Sequence, residues 1–210
     1  AVLSLMGYLS SKAIIQTSAG NEMSQCLSVA MGSIEMSLSN NRMVAETMAR
    51  GVEAVQRQAV KGEQTASDWD AAAYQEILTS FVGSNPETFG GGIWFEPYQY
   101  RPEQRYFSPY CMRQNGAVTY VDNYSLGEGV YYTDQDWYTN AANTTQKSVW
   151  SAPYYDEFAQ ISMVTSSAPI YDETGRFLGV ATADIDLTQM QQMVLSLDVV
   201  ANGRAFLIDD

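Results

Sequence analysis

Residues 166–187, "SSAPIYDETGRFLGVATADIDL", predict two β-strands joined by a tight turn. Small, branched and aromatic side chains dominate both runs, which is typical of strands. The tetrapeptide "DETG" at 172–175 is a turn signal, and we interpret Asp172 as a turn residue. Asp184 is the unusual member of the second run, because an ionised carboxylate on an apolar strand needs a partner when it faces inward.

Further strands are predicted on the N-terminal side of this hairpin. They are "TFGGGIWFEPY" (88–98), "QRYFSPYCMRQ" (104–114), "AVTYVDNY" (117–124) and "KSVWSAPYYD" (147–156), with a hairpin signal at Asn115-Gly116. Helical segments are predicted at about 68–82, at about 133–142 and from Asp186 onward. This order predicts an α+β domain with one antiparallel sheet, helices packed on one side of it and a loop face left open.

A long helix is predicted before this domain, from about Asn21 to Lys61, because the segment contains no Pro. Its apolar stripe comprises Met23, Leu27, Ala30, Ile34 and Leu38 and, after a phase slip near "SNNR" (39–42), Val44, Met48, Val52 and Val55. Forty residues of helix would measure about 60 Å. The stripe must be buried on the sheet domain or on a second copy of itself. We expect one continuous helix whose stripe lies partly on the sheet domain.

Both ends of the chain allow two interpretations. The apolar run in "AVLSLMGYLSSKAII" (1–15) is too short to span a bilayer, which takes roughly 20 residues. It is either the cut end of a membrane helix, which we favour, or the amphipathic start of a soluble helix. At the other end, "GRAFLIDD" (203–210) is either the first strand of a truncated second domain, which we favour, or a terminal strand of the same sheet.

Composition excludes several classes of protein. The net charge of -13 argues against a nucleic-acid partner, since no basic surface is available to neutralise phosphates. The absence of His removes Ser-His and Cys-His dyads and His-containing zinc sites. No phosphate-binding or dinucleotide motif and no interleaved acidic calcium loop appears, so no cofactor or metal is expected. Cys26 and Cys111 are expected to be unpaired.

Three stretches together resemble the double Cache family of extracytoplasmic sensor domains: "GGGIWFEPY" (90–98), "WSAPYYDE" (150–157) and 166–187. The resemblance implies a long helix leaving the membrane beside two PAS-like modules, of which the membrane-distal one comes first and holds the ligand. It implies the end of a transmembrane or juxtamembrane segment at 1–20, the long helix at 21–65, the distal module at 66–198 and the start of the proximal module at 199–210. The second module would then be largely missing.

The resemblance also implies a binding site. In the amino-acid-binding branch of the family, an Arg two residues before a Trp-Tyr pair holds the ligand carboxylate, and a Tyr and two Asp residues hold the ammonium group. Trp137 and Tyr138 match the aromatic pair, while Tyr154, Asp156 and Asp184 match the ammonium-binding residues. Gln135 stands where that branch carries Arg, so the sequence is more similar to the amine-binding variants.

The chemistry of these side chains agrees with a cationic ligand. Carboxylates provide charge-assisted hydrogen bonds to an ammonium group, and aromatic faces provide cation–π contacts. The full set of predicted ligand-binding residues is Tyr131, Asp134, Gln135, Asp136, Trp137, Tyr138, Tyr154, Asp156 and Asp184. Asp134 could instead cap the short helix, and Trp150 and Phe95 are better explained as core.

The resemblance implies the extracytoplasmic sensor domain of a membrane-anchored receptor, homodimeric through its N-terminal helix, which binds an amine or amino acid and is not itself an enzyme. The output domain could be a kinase, a chemotaxis signalling rod or a cyclase. Two alternatives remain open. One is a glycoside-processing enzyme using the carboxylate pair Asp134 and Asp136 or the pair Asp156 and Asp184. The other is a ligand-free dimerising ectodomain.

Overall fold

A computed structural model describes residues 2–60, 71–125 and 131–195 of the chain. The helices are α1 (Val2–Val60), α2 (Ala71–Ser84), α3 (Asp136–Ala142) and α4 (Leu187–Leu195). The strands are β1 (Gly90–Phe95), β2 (Tyr110–Gln114), β3 (Ala117–Val121), β4 (Val149–Trp150), β5 (Tyr154–Asp156), β6 (Ile161–Tyr171) and β7 (Phe177–Asp186). Short 3-10 turns occupy Asn123–Ser125 and Tyr132–Asp134. The predicted strand at 203–210 lies outside the described residues.

The chain divides into two compact units. Among the described residues, the first contains α1 up to Met36 together with Thr188–Leu195, and the second runs from Ser37 to Leu187. None of the described helices combines the length and the apolarity needed to cross a membrane. The sheet and both of its hydrophobic clusters belong to the second unit.

The second unit is built on one antiparallel sheet in the order β3-β2-β1-β7-β6-β4, with β5 also paired to β6. This confirms the predicted α+β class. The segment 147–156, expected as one strand, forms two short ones instead. Pro153 lies between them, and a proline cannot donate a ladder hydrogen bond.

One face of the sheet packs against α1 and α2. Val44, Met48 and Val52 of α1 and Leu78 of α2 are buried in one cluster with Phe95 and other sheet residues. Burying each such side chain stabilises the fold by roughly 1.5 to 3 kcal/mol. The prediction that the stripe lies partly on the sheet domain is confirmed for this segment.

The long helix is also continuous, as predicted. It continues without a break through 39–41, where the buried Asn41 donates its side-chain amide to the carbonyl of Ser37 at 3.1 Å. Met23 and Leu27, at the start of the predicted stripe, are 41% and 40% exposed in the first unit, so burial of this part of the stripe on a second copy stays a prediction. Periodicity identifies the apolar face of a helix but does not tell whether anything covers it.

Two turns and the thiols match their predictions. Asn115 and Gly116 have φ values of 52° and 80°, as a tight hairpin turn requires. Asp172 accepts hydrogen bonds from the backbone N–H groups of Thr174 (2.9 Å) and Arg176 (3.0 Å). The side-chain hydroxyl of Thr174, followed by these backbone groups, lowers the pKa of Asp172 to about 2. Cys26 and Cys111 are free thiols.

Candidate ligand-binding site

The sheet face opposite α2 carries two adjoining chambers. The inner chamber has a volume of about 20 Å³ and the outer one about 360 Å³. Tyr124, Trp137, Tyr154 and Asp156 line both, so the two chambers are continuous parts of one pocket.

Asp184 of β7 lines the inner chamber and is only 3% exposed. Its Oδ2 accepts a hydrogen bond from the Tyr110 hydroxyl (2.7 Å), and its Oδ1 accepts one from Thr165 Oγ1 (2.8 Å). Thr165 uses its hydrogen on Asp184, so the Tyr154 hydroxyl, 2.8 Å away, donates to Thr165. Asp184 therefore accepts hydrogen bonds from the Tyr110 hydroxyl and from the Thr165 hydroxyl, which Tyr154 supports in turn. None of these groups supplies a positive charge.

Burial raises the pKa of Asp184 to about 7. The hydrogen bonds from Tyr110 and Thr165 lower that pKa, and the neighbouring carboxylate of Asp156 raises it further. Among the described residues, no Lys or Arg lines either chamber. An ionised Asp184 therefore lacks a cationic partner within the pocket, a costly arrangement unless a ligand provides one.

The glycines of β1 make this geometry possible. Gly90 pairs with Asp184 on β7 and with Met112 on β2. A Cβ at Gly90 would lie 2.7 Å from Tyr110 Cζ, and one at Gly92 would lie 2.9 Å from Tyr110 Cδ2. The ring of Tyr110 thus lies directly on the bare backbone of β1, and its hydroxyl reaches Asp184.

Asp156 of β5 is the second carboxylate of the inner chamber. Its Oδ1 accepts the backbone N–H of Ala159 (2.7 Å), and the Tyr124 hydroxyl donates to its Oδ2 (3.2 Å). Burial, followed by the charge of Asp156, raises the pKa of Tyr124 well above its ordinary value. Tyr124 therefore remains a protonated donor at neutral pH.

Aromatic side chains form most of the outer chamber: Tyr124, Tyr132, Trp137, Tyr154, Tyr155 and Phe158. Gln135, Asp156 and Glu157 complete it. Tyr155 and Phe158 are 58% and 42% exposed, so part of the aromatic lining faces solvent. The outer chamber can take an apolar or aromatic body beside acidic groups.

The predicted site residues fall into two sets. Gln135, Trp137, Tyr154, Asp156 and Asp184 come together around the chambers. The remaining four, Tyr131, Asp134, Asp136 and Tyr138, line neither chamber.

Each of these four has another environment. Tyr131 stacks on Tyr106, and the buried Tyr138 donates its hydroxyl to Glu96 Oε2 at 2.7 Å. Asp134 and Asp136 are exposed. Asp134 does not cap α3 either, because Gln135 holds the N-cap position without a side-chain cap bond.

Sequence reasoning missed Tyr110, Thr165 and Tyr124, which hold the two carboxylates. It also missed Trp94, whose ring lies 4.8 Å from that of Trp137 and whose indole N–H donates to Thr182 Oγ1 at 2.8 Å. The three successive glycines at 90–92 were a usable signal, since they indicate that a large group lies against the strand. Among the described residues, no group of three or more potential ligands is arranged to hold a metal ion.

Comparison with known proteins gives consistent matches. Residues 74–192, more than half of the chain, match the family described as methyl-accepting chemotaxis protein-like, first PDC sensor domain. The chain is 39% identical over 77 residues to the methyl-accepting chemotaxis protein McpC of Bacillus subtilis, covering 37% of this chain and 12% of McpC. It is 25% identical over 193 residues to McpA of Pseudomonas putida, covering 89% of this chain and 29% of McpA.

A solved structure shares the fold. The ligand-binding domain of the Campylobacter jejuni chemoreceptor Tlp3, in complex with 4-methylisoleucine, superposes with a TM-score of 0.59 at 16% identity. The match covers 87% of this chain and 64% of that one. The chain thus spans less than two thirds of each of these three proteins.

Proposed function

The chain belongs to the family of methyl-accepting chemotaxis protein-like first PDC sensor domains, and from that premise we propose that it senses a small protonated amine. The ammonium group would occupy the inner chamber beside Asp184 and Asp156. The organic part of the ligand would lie in the aromatic outer chamber.

One observation carries this proposal: the carboxylates of Asp184 and Asp156 line the inner chamber, and no described Lys or Arg lines either chamber to balance them. Moving an ammonium ion out of water costs several kcal/mol unless it gains carboxylate partners. The pocket offers those partners, with Trp137, Tyr124 and Tyr154 beside them. Each cation–π contact would contribute about 0.5 to 2 kcal/mol.

An amino acid is the second candidate, favoured by the shared fold with Tlp3, whose structure holds 4-methylisoleucine. Such a ligand also carries a carboxylate, which needs a donor. The outer chamber presents Gln135, an amide, together with the acids Asp156 and Glu157. Repulsion from these acids favours the simple amine.

The wider context is also proposed from family membership. The chain would form the extracytoplasmic part of a membrane-anchored receptor, dimeric through α1, whose output domain lies elsewhere in the full protein. Met23, Leu27 and Met31 of α1, spaced four residues apart on one face, are 41%, 40% and 60% exposed, which supports a role for this helix in contacts with a second copy. Ligand would shift the receptor between two states according to its differential affinity for them.

Isothermal titration calorimetry with a panel of amines, amino acids and organic acids tests the ligand class. Asp184→Asn should weaken amine binding by about 2 to 5 kcal/mol, since it removes one partner of a buried charge pair. Asp136→Asn makes the same chemical change at an exposed acid outside the chambers and should leave binding intact. Binding of organic acids by the wild type, with no response to amines, would overturn the proposal.

A further inference from the structure

The inner chamber is small enough to discriminate between cationic head groups. Its volume of about 20 Å³ holds roughly one water-sized group. A primary ammonium has one heavy atom, which matches that space. A trimethylammonium has four heavy atoms and exceeds it. The outer chamber, at about 360 Å³, imposes no comparable limit on the rest of the ligand.

Packed side chains on different strands hold the inner chamber at this size. Tyr110 cannot withdraw easily, because its ring lies on Gly90 and Gly92 while its hydroxyl is bonded to Asp184. Met163 of β6, 1% exposed, lines the chamber from another strand. Well-packed interiors yield little volume without cost, so the limit is a property of the fold.

The number of hydrogen bonds that a head group can form also favours a primary ammonium in the inner chamber. A primary ammonium carries three N–H donors, and the inner chamber offers oxygen acceptors on Asp184, Asp156 and the tyrosine hydroxyls. Asp184 already accepts one bond at each oxygen, which leaves a free lone pair on each. A quaternary ammonium has no N–H to donate, so these acceptors would lose water without gaining a partner.

Building on the proposed amine-sensing function, we propose that the inner chamber selects primary amines over quaternary ammonium ions. Tyr110 and Met163 are the residues that set this selectivity. The class of ligand is thereby narrowed to a primary amine with an apolar or aromatic body.

Calorimetry on the chain with three matched pairs tests the limit. Each pair is a primary amine and its N,N,N-trimethyl derivative: methylamine with tetramethylammonium, butylamine with N,N,N-trimethylbutylammonium, and 2-phenylethylamine with N,N,N-trimethyl-2-phenylethylammonium. The primary member should bind roughly 10- to 200-fold more tightly, the range typical of adding methyl-sized groups to a closed pocket. Trimethyl compounds that bind as tightly as the primary amines would overturn the size limit while amine sensing stands. If no primary amine binds, the proposed function fails and the selectivity with it.

Two variants test the assigned residues. Tyr110→Leu and Met163→Ala should each reduce the preference for the primary amine by about tenfold, because each enlarges the inner chamber. Met112→Ala removes a Met of similar burial that lines neither chamber, and it should keep the wild-type preference. Thermal melts identify any variant that fails to fold. If Tyr110→Leu does not fold, the comparison of Met163→Ala with Met112→Ala tests the assignment. An unchanged preference in folded Met163→Ala would overturn the assignment.

Discussion

The central strands β1 and β7 are buried on both faces of the sheet, yet the two faces are built differently. On the face toward α1 and α2, β1 and β7 contribute Ile93, Phe95, Ala181 and Ala183, which are apolar and closely packed. On the chamber face, neighbouring positions of the same strands carry Trp94, Thr182 and Asp184, each with a polar atom in a hydrogen bond. Alternation along a strand thus separates a face that stabilises the fold from a face that can hold a ligand.

Adjacent glycines of β1 allow a direct test of this division. At Gly90 an added methyl would meet the ring of Tyr110, whereas at Gly91 it would lie 2.9 Å from the Thr182 carbonyl oxygen and 3.3 Å from Met48 Cε. We expect both Gly90→Ala and Gly91→Ala to destabilise the fold by about 1 to 3 kcal/mol, measured by urea unfolding. Only Gly90→Ala should weaken amine binding, by about tenfold, because it displaces the Tyr110 hydroxyl from Asp184.

Gly83→Ala provides the control for loss of a glycine. Gly83 is the second-last residue of α2 with nothing within 4 Å of an added Cβ, so this change should alter stability by less than about 0.5 kcal/mol and leave binding unchanged. Equal losses of amine affinity in Gly90→Ala and Gly91→Ala would contradict the division of roles between the two faces.

The sequence predicted the helix-facing half of the molecule better than the chamber half. Most strand positions, both hairpin turns and the free thiols follow from local patterns, and the segment from Val44 to Val52 follows from periodicity. The strand predicted at 104–114 is shorter than expected, because β2 begins only at Tyr110. The resemblance to double Cache sensor domains is confirmed by the matched family. The sequence also indicated that Asp184 is a site residue, because burying an acid on an apolar strand is costly in any fold.

The chamber depended on pairings that no local pattern contains. Tyr110 reaches Asp184 only because β2 pairs with the glycines of β1 and β1 pairs with β7. Likewise, Asp134 and Asp136 resemble Asp156 in the sequence, but their positions beside a short helix leave them exposed. Spacing identified a region rich in acids and aromatic residues, whereas the folded backbone decides which of them face the pocket.

A dependence on pH sharpens the same comparison, because the chamber face carries a buried acid, Asp184, with a raised pKa. The pKa of Asp184 is raised from 3.8 to about 7, so the folded, unliganded chain binds a proton more readily than the unfolded chain does. Its stability should therefore fall as the pH rises from about 4 to about 7. An amine binds the ionised form, so its affinity should instead rise by about tenfold per pH unit below 7 and then level off.

Asp184 is the group whose titration should cause this pH dependence, because the hydroxyl groups around it keep their protons in this range. Tyr110, Tyr154 and Tyr124 have pKa values raised by burial, so they stay protonated across this range, and Thr165 does not titrate. The charge of Asp156 contributes by raising the pKa of Asp184.

Calorimetry of 2-phenylethylamine binding between pH 5 and 8 measures the change of affinity with pH, and urea unfolding measures the change of stability. Asp184→Gly would open a cavity, so Asp184→Asn is the informative variant, and its stability should lose the slope. A flat wild-type affinity profile would show that Asp184 does not contact the amine.

The smallest expected effect concerns Gln135 in the outer chamber. Gln135 lines the outer chamber, away from Asp184 in the inner one. In Gln135→Arg, a guanidinium could pair with a ligand carboxylate through charge-assisted hydrogen bonds, worth about 1 kcal/mol at a partly exposed position. Phenylalanine and 2-phenylethylamine share a body and differ by that carboxylate, so their affinity ratio isolates the effect. The ratio should shift by roughly fivefold toward phenylalanine.

Gln146→Arg adds the same charge at an exposed position outside both chambers and should leave the ratio unchanged. If both variants shift it equally, the added charge acts at long range, and Gln135 does not face the ligand.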